Sequence, residues 1–303
     1  MIISDLRQIF SVNNISPLMN SHTSCPVPML VDSETVSLLF SSRDSQQRAR
    51  VFQLNYNLMT HRVNDVVKTP VLDVGPPSFF DDDGVYPSCV VTEGDTMWLY
   101  YMGRSNRVAP FYNMAIGIAQ HDQQSGEFKK VFSGPVLGQN INDPWMVSTP
   151  WVTRAGSEWI MIYLSGLGWS ENFETSTYRL KIATSPNGLD WTTSERFIQA
   201  FESVENVAKP CLIETDTGWY MLFSYIAEQG GQYQLGYLHS ESPHNWDECE
   251  IHPIMVEGEG DEREVAMYAY PTVFQCENRL HIVMSSADLG KTAMYCATLT
   301  RSE

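Results

Sequence analysis

Five times along this chain a proline leads a short apolar segment. The segments are PVPMLVD from Pro26, PSCVVTEGD from Pro87, PWVTRAGSE from Pro150, PCLIETDTG from Pro210 and PTVFQCEN from Pro271, at intervals of 60 to 63 residues. A repeat of this period restricts the chain to architectures made of one supersecondary unit used many times. Each segment is followed by a turn and an aromatic-rich strand: VSLLFSS, MWLYYMG, EWIMIYLSG, WYMLFSY and RLHIVMSS. A third strand comes next in every unit, in RARVFQLNYN, YNMAIGIAQHD, YRLKIATSPNG, YQLGYLHSES and TAMYCATL. Four units continue into a fourth strand, around HRVNDVV, GEFKKVF, DWTTSERFI and WDECEIH. Gly, Asp, Asn and Ser between the strands supply hairpin turns.

The fifth unit stops after its third strand. The stretch Asp5 to Asn13 can supply the missing strand and cover the exposed edge. The expected fold is therefore all-β. It is a five-bladed β-propeller of four antiparallel strands per blade, closed by the N-terminal strand, with residues 1–303 forming one domain. Composition agrees: 12% aromatic, 18% charged, 19 Gly and 16 Pro is strand-and-turn chemistry.

Lys and Arg number 19 against 36 Asp and Glu, a net charge of −17. That balance excludes nucleic acid as the expected partner, because polyanions are bound by basic patches. No apolar run approaches the roughly 20 residues of a membrane span. The six cysteines have no CxxC pair and no metal-ligand spacing, so they read as small buried thiols, and neither a metal nor a cofactor is expected. With no secretory pattern at the start, the expected location is cytoplasmic.

In a radial array the first strands line the axis. Proline suits the first residue of a strand, so the residues before each proline should converge on one face, with the loops between second and third strands. Those places hold His22; Asp81, Asp82 and Asp83 of FFDDDGVY; Asp143; Glu205 and Lys209; and Glu264, Tyr268 and Tyr270. The loops add Arg43 and Asp44, Arg104, Trp169, Tyr225 and Asp288. Aromatic faces, carboxylates and a few cations in one funnel suit a saccharide. Each also has a plainer reading. DDDG is turn chemistry and lacks the alternation of a calcium loop. Asp143 before proline starts turns, Glu205 can cap a loop, and Arg43 and Arg104 can pair with Asp44 and Asp83 or fork onto an anionic ligand.

The units MAIGIAQHDQQSGEF, LKIATSPNGLDW and QLGYLHSESPHNW, with FDDDGVYP and SSRD, resemble the five-bladed glycosidase propellers of glycoside hydrolase families 43, 32, 68 and 130. The resemblance implies a carbohydrate-active enzyme acting on a glycosidic bond. Families 43 and 32 use an aspartate at the start of the first blade, where this chain has SHTSCP. They also use a glutamate two residues before the fourth-blade proline, where it has Ala208. Their hydrolytic pair therefore does not carry over. Family 130 uses a second-blade aspartate and binds phosphate with basic side chains. By that resemblance Asp82 or Asp83 is the acid, and Arg43, Arg104, Lys209 and His22 form an anion site. The expected chemistry is proton transfer from DDDG, completed by Glu205, Glu264 or an anionic co-substrate, either phosphate or an activated sugar such as a sugar nucleotide. A sugar-binding propeller without catalysis is the alternative.

Overall fold

The computed structural model describes residues 1–257, 268–286 and 288–301. It is built of strands, with one 3-10 turn at Gln199–Phe201. Strand β1 is Ile2–Phe10. The first repeat gives β2 (Ser21–Val31), β3 (Thr35–Arg43), β4 (Ala49–Asn57) and β5 (Arg62–Leu72). The second gives β6 (Gly84–Glu93), β7 (Thr96–Asn106), β8 (Tyr112–His121) and β9 (Phe128–Lys130). The third gives β10 (Val147–Ala155), β11 (Glu158–Trp169) and β12 (Ser176–Ser185). The fourth gives β13 (Asn206–Thr215), β14 (Gly218–Ile226), β15 (Gln234–Ser240) and the short β16 (His252–Pro253), followed by β17 (Met255–Val256). The fifth gives β18 (Tyr268–Cys276), β19 (Arg279–Ser286) and β20 (Met294–Thr300).

Within each unit successive strands pair antiparallel. The third unit's expected fourth strand is reduced to two single bridges, Lys181↔Phe197 and Thr184↔Thr192. Single parallel contacts, Ala49↔Gly84 and Tyr178↔Asn206, join neighbouring units, so the ladders fall into three sheets of five, seven and eight strands. The N-terminal strand does join the last unit: β1 pairs antiparallel with β20 and parallel with β17. First strands pack on one another in order, β2 on β6, β6 on β10, β10 on β13, β13 on β18 and β18 on β2. Among the described residues no helix is long and apolar enough to cross a membrane.

The sequence places the prolines at strand starts, and the structure does not. Each lies inside its first strand at a break in the register: at Ser24/Val27, Pro87/Cys89, Ser148/Trp151, Ala208/Cys211 and Ala269/Thr272. A bulge tolerates proline because the extra residue is already outside the ladder. In four units the residue before proline has left-handed backbone: Cys25 (φ 54), Thr149 (φ 41), Lys209 (φ 54) and Tyr270 (φ 59). Such conformations cost energy in a non-glycine residue and persist only where surrounding packing fixes them. Here three of those four residues, together with Tyr86 before Pro87, face a common cavity.

The second strands are buried on both faces, β3 from Val36 to Ser42 and β11 from Trp159 to Gly166, because neighbouring units cover them on either side. The inner faces of neighbouring units interlock: Phe40, Phe52 and Leu54 meet Val283 and Met294, and Ile160, Ile162 and Leu164 meet Met221 and Phe223. All six cysteines are free, and five are buried. The Cys89 and Cys211 sulfurs accept the Val152 and Val273 amides of the following units at 3.3 Å each. Burial pushes the thiols of Cys25 and Cys89 up to about 12 and that of Cys211 to about 11.

Candidate functional site

A cavity of about 510 Å³ opens where the five units meet. Every unit contributes to it through the bulged part of its first strand, for example Ser24, Tyr86, Ser148, Ala208 and Tyr270. The convergence expected from the sequence is thus present. The starts of third strands and their loops also face it, with Tyr112, Met114, Tyr178 and Tyr233. That second set follows from register: Met114 lies opposite Arg104, and Tyr178 opposite Gly166.

The three adjacent aspartates do three different things. Asp81 is buried, accepts the Tyr101 hydroxyl at 2.9 Å and pairs with Lys130 at 2.7 Å, which makes it a fastener. Asp82 accepts the Ser78 amide at 2.7 Å and fixes its own loop. Asp83 approaches the guanidinium of Arg104, with Oδ2 3.3 Å from Nη1. Its amide donates to the Arg104 carbonyl at 3.0 Å, so β7 sets both ends of the pair. The loop can lie this close because β7 carries Gly103; a Cβ there would stand 2.4 Å from Phe80 and 2.7 Å from Asp81. Burial pushes the Asp83 carboxyl above its ordinary value; Arg104 pulls against this and Asp82 adds to it. A carboxyl raised in this way holds its proton closer to neutral pH.

Arg43 ends β3 and lines the cavity with Arg104. The Nε atoms of both are buried without a hydrogen-bond partner among the described residues. Arg104 also lies over the Tyr112 ring, 5.2 Å from its centroid. Asp44 does not pair with Arg43. It binds Arg48 at 3.0 Å and Arg50 at 2.8 Å; burial favours its proton, but Arg50 and the amides of Arg48 and Gln46 outweigh this and hold the carboxyl low. No carboxylate is among the described residues that line the cavity.

Several candidates lie beside or beneath the cavity. Lys209 is fully buried; its Nζ donates to the Ser88 carbonyl at 2.7 Å and to Thr272 Oγ1 at 3.3 Å, and burial lowers its pKa. It ties first strands together and does not line the cavity. Asp143 is fully buried on Lys181, Tyr163 and Ser165. Trp169 packs edge-on against Tyr112, with centroids 4.8 Å apart, and so backs the wall. Tyr225 is buried with its hydroxyl on Gln234, and Tyr268 is buried against Tyr295. Asp288 accepts from Ser286 Oγ at 2.7 Å. Glu205, half-buried, donates its amide to the Ile226 carbonyl at 2.9 Å, and its side chain is not among the lining groups. Glu264 lies outside the described residues. Tyr270 lines the cavity, near Tyr233, whose hydroxyl bonds that of Tyr178. Among the described residues no group of three or more His, Cys, Asp or Glu is placed to hold a metal ion.

His22 is buried, with its Nδ1 2.9 Å from Ser21 Oγ. Burial first, then Arg43 and Lys291, push its pKa down to about 4, with Asp288 opposing. It is therefore neutral at pH 7 and adds no charge to an anion site. Its pKa when folded, about 4, lies below the ordinary 6.5, so between these values the unfolded chain binds the extra proton. Stability is thus lost as pH falls from about 6.5 towards 4. Denaturant unfolding of wild type and His22→Asn at pH 7 and pH 4 checks this. The variant should lose less stability than wild type on acidification, and parallel losses would contradict the assignment.

No family model matches the chain. Two uncharacterized proteins of Mycobacterium tuberculosis, from strains CDC 1551 / Oshkosh and ATCC 25618 / H37Rv, are 28% and 27% identical to it, each over 97% of this chain and 98% of the relative. Among solved structures, a glycosyl hydrolase from Bacteroides ovatus is similar with a TM-score of 0.72 at 13% identity, over 99% of this chain and 93% of that one. The β-1,2-mannobiose phosphorylase from Listeria innocua gives 0.69 at 13% identity, over 98% and 97%. A thermostable family-43 glycoside hydrolase gives 0.62 at 12% identity, over 97% and 94%. At these identities the likeness is one of fold, and the fold of this chain is that of the glycosidase-like propellers.

Proposed function

We propose that residues 1–303 form one closed ring of five blades and that the cavity on its axis makes or breaks a glycosidic bond with the help of an anionic co-substrate. One observation carries this reading: Asp83, with its carboxyl raised by burial, is paired with an arginine that lines the cavity beside a second arginine. The first strands' serial packing and the β1–β20 pairing support the ring. Among the neighbours named above, one is a phosphorylase and two are hydrolases.

Ala208 and the Ser24–Cys25 pair line the cavity at the two places where the family resemblance puts hydrolytic carboxylates. The nucleophile is then the anion. Hydrogen phosphate held by Arg43 and Arg104 attacks the anomeric carbon. The bond to the leaving oxygen breaks as that oxygen takes the Asp83 proton through one water, since Asp83 stands beside Arg104 and not among the lining groups. The hydrogen of the phosphate returns to Asp83 by the same route. The products are a sugar phosphate and a free hydroxyl. Bidentate guanidinium–phosphate bonds suit this role. Run towards synthesis, the same step joins a sugar phosphate to an acceptor hydroxyl and releases phosphate; with a sugar nucleotide as the activated sugar the leaving anion is a nucleoside diphosphate. The free cysteines fit a cytoplasmic setting.

The test is the dependence of turnover on phosphate. Arg43→Gln and Arg104→Gln should each raise the KM for phosphate at least tenfold, about 1.4 kcal/mol of lost binding. An unchanged KM in both would contradict the anion site. A carbohydrate-binding propeller without catalysis is the second reading, favoured by the lack of a lining carboxylate among the described residues. It predicts saccharide affinity with no turnover at all.

A further inference from the structure

We infer that the ligand of this cavity is amphipathic, with its anionic group at Arg43 and Arg104 and an apolar aryl or alkyl group lying against the wall of the second and third units. The inference rests on the reading of the two arginines as an anion site and names the substrate class for it. That wall is made by Met102 on β7, Met114 on β8, Met146 just before β10 and Leu164 on β11. Three thioethers and an isobutyl group offer no hydrogen to a sugar hydroxyl. A hydroxyl buried there without a partner loses about 1–3 kcal/mol. The small polar groups that line the cavity are already partly engaged. Ser148 Oγ points at Met114 Sδ at 3.6 Å, and the Asn206 amide binds Tyr178 N at 2.9 Å and the Ser176 carbonyl at 3.4 Å. Methionine is the side chain best suited to moulding round an apolar group of variable shape.

The wall continues outward. Six of the eleven exposed large apolar side chains among the described residues come from the segments that flank these wall residues in the chain: Val108 (93% exposed), Phe111, Ile141 (92%), Trp145, Leu167 at the end of β11, and Phe173. Trp145 is next to Met146 in the chain, Leu167 is three residues beyond Leu164, and Phe111 is three before Met114. Arg107 Nη2 donates to Gln139 Oε1 at 3.2 Å and ties the first of these loops to the second. Single exposed apolar residues need no explanation, but a group of them on the segments that lead into and out of an apolar cavity wall is the pattern of a binding surface.

Calorimetric titration with inorganic phosphate, phenyl phosphate and 1-naphthyl phosphate tests the inference without knowledge of the sugar. The naphthyl ester should bind at least tenfold tighter than inorganic phosphate, with the phenyl ester between, at ordinary values per buried apolar area. A Val108→Ser/Phe111→Ser double variant should weaken the naphthyl ester at least threefold and leave inorganic phosphate unchanged. Both side chains are exposed, so the variant leaves the core intact. Met114→Gln should act in the same direction within the wall. Equal affinity for all three anions would overturn the apolar group and leave the anion site standing. Binding of none of them would remove the anion site and this inference with it.

Discussion

Asp83→Asn is expected to lower kcat by about 10²- to 10⁴-fold, the range for loss of a general acid, and to leave ligand affinity within a few-fold. The amide keeps the shape of the carboxyl beside Arg104 but has no proton to give. Its neighbours provide the control. Asp82 spends its carboxylate on the Ser78 amide, so Asp82→Asn should change kcat less than tenfold. The pH profile adds a second reading. The acid must be protonated, so activity falls as pH rises through the Asp83 pKa, which lies above the ordinary carboxylate value. That limb should vanish in the variant. Steady-state kinetics against pH on the three proteins measures both effects. Undiminished turnover in Asp83→Asn would make the aspartate a partner of Arg104 only.

The largest effect on stability should come from Asp143→Ala, at about 3–5 kcal/mol. Asp143 and Lys181 are buried, 0% and 1% exposed at the side chain, with 3.1 Å between Oδ1 and Nζ. Tyr163 and Ser165 donate to the same carboxylate at 3.0 and 2.6 Å. Removing it strands an ammonium whose other contacts are the Asn142 carbonyl at 2.6 Å and the Phe197 ring at 4.5 Å. Breaking such a pair costs far more than the pair contributes, because the surviving charge stays desolvated. The double variant Asp143→Ala/Lys181→Met should therefore recover part of the loss. Urea unfolding of the two single variants and the double one decides it. A loss below 1 kcal/mol for Asp143→Ala would show that Lys181 finds water.

The repeat made the fold legible because each unit carries the same proline, the same aromatic second strand and the same turn residues. The proline itself misled on one point: it marks a bulge inside the strand, and nothing in PSCVV or PCLIE distinguishes a bulge from a strand start. Of the residues that the sequence singles out, Arg43, Arg104 and Tyr270 line the cavity and Asp83 pairs with Arg104; Arg43 and Arg104 sit at equivalent places in their repeats. Lys209 and Asp143 sit at such places too, yet burial turned both inward. Only three-dimensional packing separates a side chain on the axis from one beneath it. Met114, Met146, Tyr178 and Tyr233 carry no charge or motif that marks them in the sequence, and Met114 and Tyr178 lie at the starts of third strands. Pairing the end of each second strand with the start of the third, as Arg104 pairs with Met114, points to them.

The account's central claim is that an anion completes the reaction begun by Asp83. The most direct measurement is a screen of glycosides with purified protein, with and without inorganic phosphate, reading sugar phosphate by mass spectrometry. The account predicts a sugar phosphate product that appears only with phosphate and is lost in Asp83→Asn. Release of free sugar at the same rate without phosphate would contradict it.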